Sequence, residues 1–176
     1  MENKREFVSI IKDLLENEKV NEMKLYRQHY NVSTFEHCLN VAYISYIICK
    51  KFKLDYVSMA RGAMLHDLFL YDWRDKRSHK SFKDLHAFSH PKTALNNAMK
   101  ICTLNSKEQD IIVKHMWPVT FALPKYKESY VITLADKISA IYEGINYYKE
   151  KRLSRKIYVY TYLVSCMLNR VTTEVI

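Results

Sequence analysis

Apolar positions recur at helical spacing along most of the chain. Phe7, Ile10, Ile11, Leu14 and Leu15 share one side of a segment from about Lys4 to Lys19, which predicts an amphipathic helix. Ser33-Thr-Phe-Glu36 has the form of a capping box, in which a serine and a glutamate three residues later each accept from the other's backbone N–H. It predicts a helix to about Phe52, with His37, Val41, Ile44 and Ile48 on one face, so His37 points inward near the helix start. Asp55 can cap the next helix, which continues through Met59, Ala63 and Met64 to His66 and Asp67.

From Tyr71 to about Phe88 the periodicity is lost and the chain turns polar and basic. This predicts a long surface connection, a kind of segment that often carries function. Ser89-His90-Pro91 reads as a helix start, because proline is tolerated in a first turn, and Ala94, Leu95, Ala98, Met99 and Cys102 supply its buried face. Ser106-Lys-Glu-Gln109 is a second capping box; its helix should end by Trp117, since Pro118 disfavours helical geometry in the residue before it. From about Lys127 to Lys149, Val131, Leu134, Ala135, Ile138, Ile141, Tyr142 and Ile145 keep helical spacing around an interior Asp136, a carboxylate that needs a partner. The segment from Ile157 is β-branched and aromatic, but its continuation through Cys166, Met167 and Leu168 is long for a strand, and no other strand is there to pair with it. Helix is the better reading, and the chain as a whole reads as all-α.

Composition narrows this further. A chain of 176 residues, 48% of them apolar, fits a single domain over 1–176 with one core. Its two glycines, Gly62 and Gly144, leave no Gly-rich phosphate cradle and no dinucleotide fingerprint. Cys38, Cys49, Cys102 and Cys166 lie in apolar segments without a Cys-x-x-Cys pair, so they read as buried, reduced thiols. The longest near-apolar run, Val41 to Cys49, is too short to span a membrane, and the charged start Met1-Glu-Asn-Lys-Arg-Glu is unlike a secretory signal. A cytoplasmic location without membrane association is therefore expected. The net charge of +9, with basic clusters at Arg74 to Lys83 and Lys149 to Lys156, suits an anionic partner: a phosphorylated small molecule, a nucleic acid or an acidic protein surface.

The most informative chemistry is the dipeptide His66-Asp67, an imidazole and a carboxylate side by side at the end of an apolar stretch. Such a pair can ligate a divalent cation, although the dipeptide alone is weak evidence. Four further residues strengthen it: His37 upstream, then His90 in Ser-His-Pro, His115 in Val-Lys-His-Met-Trp-Pro and Asp136 in Leu-Ala-Asp-Lys, each on or beside a predicted helix.

The order His37, His66-Asp67, His90, His115, Asp136 resembles the HD-domain superfamily of metal-dependent phosphohydrolases, in the version with two extra histidines. The resemblance covers about Ser33 to Gly144. Ser-His-Pro-x-x-Ala at residues 89 to 94 is similar to the His-Pro segment of the binuclear HD-GYP branch, whose Gly-Tyr-Pro signature is absent. It implies a helical bundle of about six to eight helices, with residues 33–144 as the metal-binding core and helical extensions at both ends. It further implies that His37, His66, Asp67 and Asp136 hold one metal and that His90 and His115 mark a second, with Asp67 bridging. Two cations per chain, drawn from Mn, Fe, Ni, Co or Zn with Mg also open, would generate a metal-activated hydroxide that attacks a phosphomonoester or phosphodiester, with a nucleotide-like small molecule as the expected substrate.

Many relatives continue His-Asp-Ile-Gly-Lys, whereas this chain has His-Asp-Leu-Phe-Leu-Tyr-Asp-Trp, so the lysine near substrate phosphate is missing. Arg74, Arg77, His79 and Lys80 in the basic connection, and Lys114 and Lys137 beside presumed ligands, are the candidates to replace it. Asp67 and His66 are the expected catalytic centre. His86, four residues before His90, is open to three readings: a further ligand, a proton donor to the leaving group, or an ordinary loop histidine that need not share a face with His90 if the helix begins at Ser89. Asp72 is open to a role in orienting a ligand imidazole or to simple solvation. The rival functions are a nuclease or nucleic-acid-binding protein, disfavoured by basic clusters without aromatic interleaving, and a regulatory module that binds a nucleotide without hydrolysing it.

Overall fold

The computed structural model describes residues 2–74 and 86–173, with side chains described as far as residue 157. Among the described residues there are eight α-helices and one two-stranded hairpin. The helices are α1 (Glu2–Ile10), α2 (Lys12–Glu16), α3 (Glu18–Glu22), α4 (Thr34–Lys51), α5 (Tyr56–Met64), α6 (His86–Ile101), α7 (Ser106–Lys114) and α8 (Lys127–Thr173). Strands β1 (Arg27–His29) and β2 (Val32–Ser33) pair antiparallel between α3 and α4. The all-α expectation holds.

The predicted helix from Lys4 to Lys19 is divided into α1, α2 and α3. Asn17 explains one break: its side chain accepts from the backbone N–H groups of Lys19 and Val20, starting a new helix instead of continuing the old one. The Ser33–Glu36 capping box forms as expected and starts α4, and Asp55 caps α5 by accepting from Ser58 N. The second box is displaced by one residue. Asn105 is the cap and Glu108 its partner, while Gln109 donates to the Leu104 carbonyl.

Three further boundaries bear on function. α5 ends at Met64, so His66 and Asp67 lie in the tight turn beyond it and not on the helix. α6 begins at His86 rather than Ser89, and Pro91 sits inside the helix, where its missing N–H leaves the Ala87 carbonyl without a helical donor. The hairpin was not foreseen; strands of two and three residues are too short to show an alternating pattern. At the C-terminal end, the two segments read separately from sequence form one continuous helix, α8.

The core lies between α4, α5, α7 and α8. Cys38, Val41, Ala42 and Cys49 from α4 meet Met59, Ala60, Ala63 and Met64 from α5, with Ala94 and Ala98 of α6, Ile111 and Ile112 of α7, and Ile132 and Ala135 of α8 closing around them. Met99, expected on the buried face of α6, points outward. Burial pushes the Cys49 thiol up to about 12, consistent with an inert core cysteine; Cys102 is half-buried. No helix among the described residues is long and apolar enough to cross a membrane.

Candidate metal centre

The six residues expected as ligands come together at the centre of the molecule from five elements. His37 is on the first turn of α4, held there by the capping box; His66 and Asp67 follow α5; His90 is on α6; His115 is the C-cap of α7; Asp136 is on α8. The turn carrying His66 and Asp67 is tied to α6, because Asn97 donates to the Leu68 carbonyl at 2.9 Å.

Hydrogen bonds set the protonation of three of these imidazoles. His66 Nδ1 lies 2.7 Å from the Ala63 carbonyl, His90 Nδ1 2.6 Å from the His86 carbonyl and His115 Nδ1 2.7 Å from the Ile112 carbonyl. A carbonyl only accepts, so each Nδ1 carries a proton and each ring turns its Nε2 inward. The Nε2 atoms of His90 and His115 are 2.9 Å apart, and they approach Asp67 Oδ1 at 3.2 and 3.4 Å. His66 Nε2 lies 3.4 Å from Asp67 Oδ2 and 3.8 Å from Asp136 Oδ1. Lone pairs and anionic oxygens this close repel one another unless positive charge sits among them. His66 Nε2 and Asp67 Oδ1 are also buried without a hydrogen-bond partner, which costs stability unless they are ligands.

Electrostatics point the same way. Burial opposes ionisation of Asp67, yet His66 and His90 outweigh it and hold the carboxyl well below the usual range; Asp136 is likewise lowered against its burial by His37 and His66. Burial pushes His115 down to about 3, so this imidazole stays neutral and able to ligate. His66 and His37 differ. Burial would lower His66, but the Asp67 carboxylate beside it raises it well above the usual imidazole range. Burial would lower His37, but Asp136 Oδ1 at 3.0 Å from Nε2 and Glu143 Oε1 at 2.9 Å from Nδ1 raise it to about 10. Without a cation, His37 carries a proton where a metal would otherwise sit.

Among the described residues, three overlapping groups of donors lie close enough to hold a cation: His29, His37 and Glu143; His37, His66 and Asp136; and His66, Asp67 and His115, with His90 Nε2 beside the last at 3.2 Å from Asp67 Oδ1. A mixture of imidazole and carboxylate suits borderline metals.

Several contributors were invisible in the sequence. Gln28, on β1, donates to Asp67 Oδ2 at 2.6 Å and so orients that carboxylate. His29, next along β1, packs edge-on against His37 with ring centroids 5.3 Å apart. Glu143 holds Nδ1–H of His37. It lies seven residues after Asp136, two turns along the same face of α8, and that spacing is the one signal by which it could have been found.

A cavity of about 280 Å³ opens onto the ligands and is lined by Gln28, His29, Trp73, His86, Met116, Val119 and Lys137 among others. His86 reaches it because α6 begins early enough to put residues 86 and 90 on one face. Its ring stacks on His90 at 4.4 Å and on Trp73 at 5.4 Å, and Nδ1 is 3.0 Å from the Tyr71 hydroxyl. Of the expected phosphate-binding residues that are described, Lys137 borders the cavity and Arg74 and Lys114 do not. Lys137 Nζ donates to the Trp117 and Thr133 carbonyls, and burial lowers its pKa. Arg74 is exposed and engaged by Asp72 through bonds of 2.8 and 2.7 Å, so Asp72 orients an arginine and not a ligand imidazole. Lys114 is half-buried away from the cavity lining. Arg77, His79 and Lys80 lie outside the described residues.

No curated protein and no solved structure matches the chain. The family model of the HD domain does match, over residues 34–141, a span that runs from the start of α4 through Asp136 and takes in all six ligand-type residues. With more than half of its 176 residues covered, the chain belongs to the HD-domain family.

Proposed function

We propose that this protein is a binuclear metal-dependent phosphohydrolase acting on a phosphomonoester or phosphodiester of a small, nucleotide-like molecule. The observation that carries this reading is the convergence of the Nε2 atoms of His66, His90 and His115 on the carboxylates of Asp67 and Asp136. Divalent cations bound there would supply Lewis acidity toward phosphoryl oxygen and a water-derived nucleophile at neutral pH.

The chain's own residues do the rest. Asp67, oriented by Gln28, is the carboxylate that the two metals would share. Lys137 presents a cation at the cavity wall, where desolvation strengthens its pull on a substrate phosphate. His86, stacked on His90 and held by Tyr71, is placed to give a ring proton to the leaving oxygen. Trp73 and Val119 line the cavity and would offer an apolar surface to the group esterified to phosphate. The cavity's small volume favours a compact ester over a polymer.

Aryl phosphate mono- and diesters, nucleotides and cyclic dinucleotides should be screened with protein loaded with Mn²⁺ or, anaerobically, Fe²⁺. Turnover is expected in at least one class and none with Asp67→Asn. Lys137→Ala should lower kcat/KM about tenfold or more, equal to about 1.4 kcal/mol, at unchanged metal content, while Arg74→Ala should leave it near wild type. Nucleotide binding by the fully loaded protein without any turnover would favour the regulatory alternative instead.

A further inference from the structure

The part of α8 that passes the site is largely polar on its buried side. Besides the core residues Ile132 and Ala135, its inner face carries the buried side chains of Glu128, Ser129, Thr133, Ser139 and Glu143, as well as Asp136. Its outer face carries Leu134, Ile138, Ile141, Ile145 and Tyr148, each between 47% and 64% exposed. An ordinary surface helix has the opposite arrangement. Asp136 and Glu143 serve the metal centre while Glu128 and Ser129 bond to Asp55 and Asp110, but none of these contacts requires a greasy outer face.

The outer residues are spaced in steps of four, three, four and three, the repeat by which two helices pack along a common seam. A groove flanks the seam on each side. One, of about 360 Å³, lies against α4 and is lined by Tyr43, Ile44, Ile138 and Tyr142. The other, of about 530 Å³, lies beside the hairpin turn at Ile141, Ile145 and Tyr148, where Gly144 lets the Tyr30 ring rest against the helix; a Cβ at Gly144 would stand 3.0 Å from that ring. A ridge bordered by grooves is complementary to itself under a two-fold rotation.

The seam presents on the order of 500 Å² of side-chain surface, comparable to the largest patch on an ordinary monomer, and the adjoining Tyr142, 62% exposed, extends it toward the roughly 800 Å² per partner of a stable interface. We propose that the outer face of α8 is the interface of a symmetric homodimer, in which the seam of each copy enters a groove of the other. A lipid surface would have no ridge to fill the two concavities. The helix that pairs outside also holds Asp136 and Lys137 inside, so pairing braces one wall of the metal centre. This inference stands apart from the proposed hydrolysis and survives its failure.

Sedimentation equilibrium between about 1 and 100 μM should give a mass near twice the 21.0 kDa of the chain. Ile141→Asp combined with Ile145→Asp should weaken association at least a hundredfold while leaving helicity and metal content intact, whereas Ile141→Leu should remain dimeric. If the charged pair fails to fold, Tyr148→Arg at the outer end of the seam provides the same comparison. A wild-type monomer throughout the range overturns the proposal, as does a dimer indifferent to folded seam variants. Monomers that sediment with anionic phospholipid vesicles would also overturn it, assigning the face to a membrane.

Discussion

On the binuclear reading proposed above Asp67 is the shared carboxylate, near His90 and His115 through Oδ1 and near His66 through Oδ2, whereas His115 would hold one metal alone. Asp67→Ala should therefore abolish turnover and lower both metal occupancies, while His115→Ala should empty mainly one, as read by elemental analysis of anaerobically prepared protein. Equal and small losses from the two would show that the donors are assigned wrongly. Glu143 acts through His37: its carboxylate holds Nδ1–H and leaves Nε2 for a metal. Glu143→Gln keeps the size but offers a neutral acceptor, and should weaken metal binding about tenfold to a hundredfold, measurable by competition with a chromogenic chelator. An unchanged affinity would make Glu143 merely a buried neighbour.

At the scale of elements, the site depends on how closely α5 and α7 approach, because one delivers His66 and Asp67 and the other His115. Gly62 makes that approach possible. A Cβ there would lie 2.9 Å from Ile111 Cγ2 and 3.3 Å from the backbone Cα of Glu108, so Gly62→Ala must push the two helices apart. We expect a loss of about 1–3 kcal/mol in denaturant unfolding, together with weaker binding of the metal that involves His115. Trimming Ile111 to Ala in the same chain should restore only part of this, since the Glu108 backbone remains. Full recovery would place the clash in the side chain alone.

For the whole molecule, the metal centre is a cluster of buried polar atoms whose stability depends on what is bound. A cation present at a hundred times its dissociation constant adds about 2.7 kcal/mol, or roughly 5–10 °C in Tm for a chain of this size. Chelation should lower Tm by that order and re-addition of Mn²⁺ should restore it. The loss should depend on pH. His37 is raised to about 10 from 6.5, so its contribution to the metal-free fold is complete below pH 6.5 and is lost as pH rises toward 10. His115 is lowered to about 3, so its contribution is complete above pH 6.5 and is lost as pH falls. Metal-free protein should thus melt highest near pH 6.5 and progressively lower toward pH 9.5. Loaded protein should lack that alkaline decline, because a metal replaces the proton on His37. Parallel melting curves with and without chelator would rule this account out.

The helical period of apolar residues, the scarcity of glycine and the local caps at Ser33 and Asp55 were enough to determine an all-α fold, since each depends on residues within a turn or two of one another. The order of His37, His66-Asp67, His90, His115 and Asp136 was enough to indicate the HD family, because the ligand types survive in sequence even where helix ends are misjudged. What only the tertiary structure decided depends on long-range proximity. Gln28 reaches Asp67 from 39 residues away and Glu143 reaches His37 from 106. Lys137 borders the cavity while Arg74 turns to Asp72, a choice that charge alone does not make. Local periodicity could place Leu134, Ile138 and Ile141 on one side of α8, but it carries no record of which side faces the core. Tertiary partners decided it: Asp136 and Glu143 turn inward to His37, and Glu128 and Ser129 to Asp55 and Asp110, beside the buried Ile132 and Ala135.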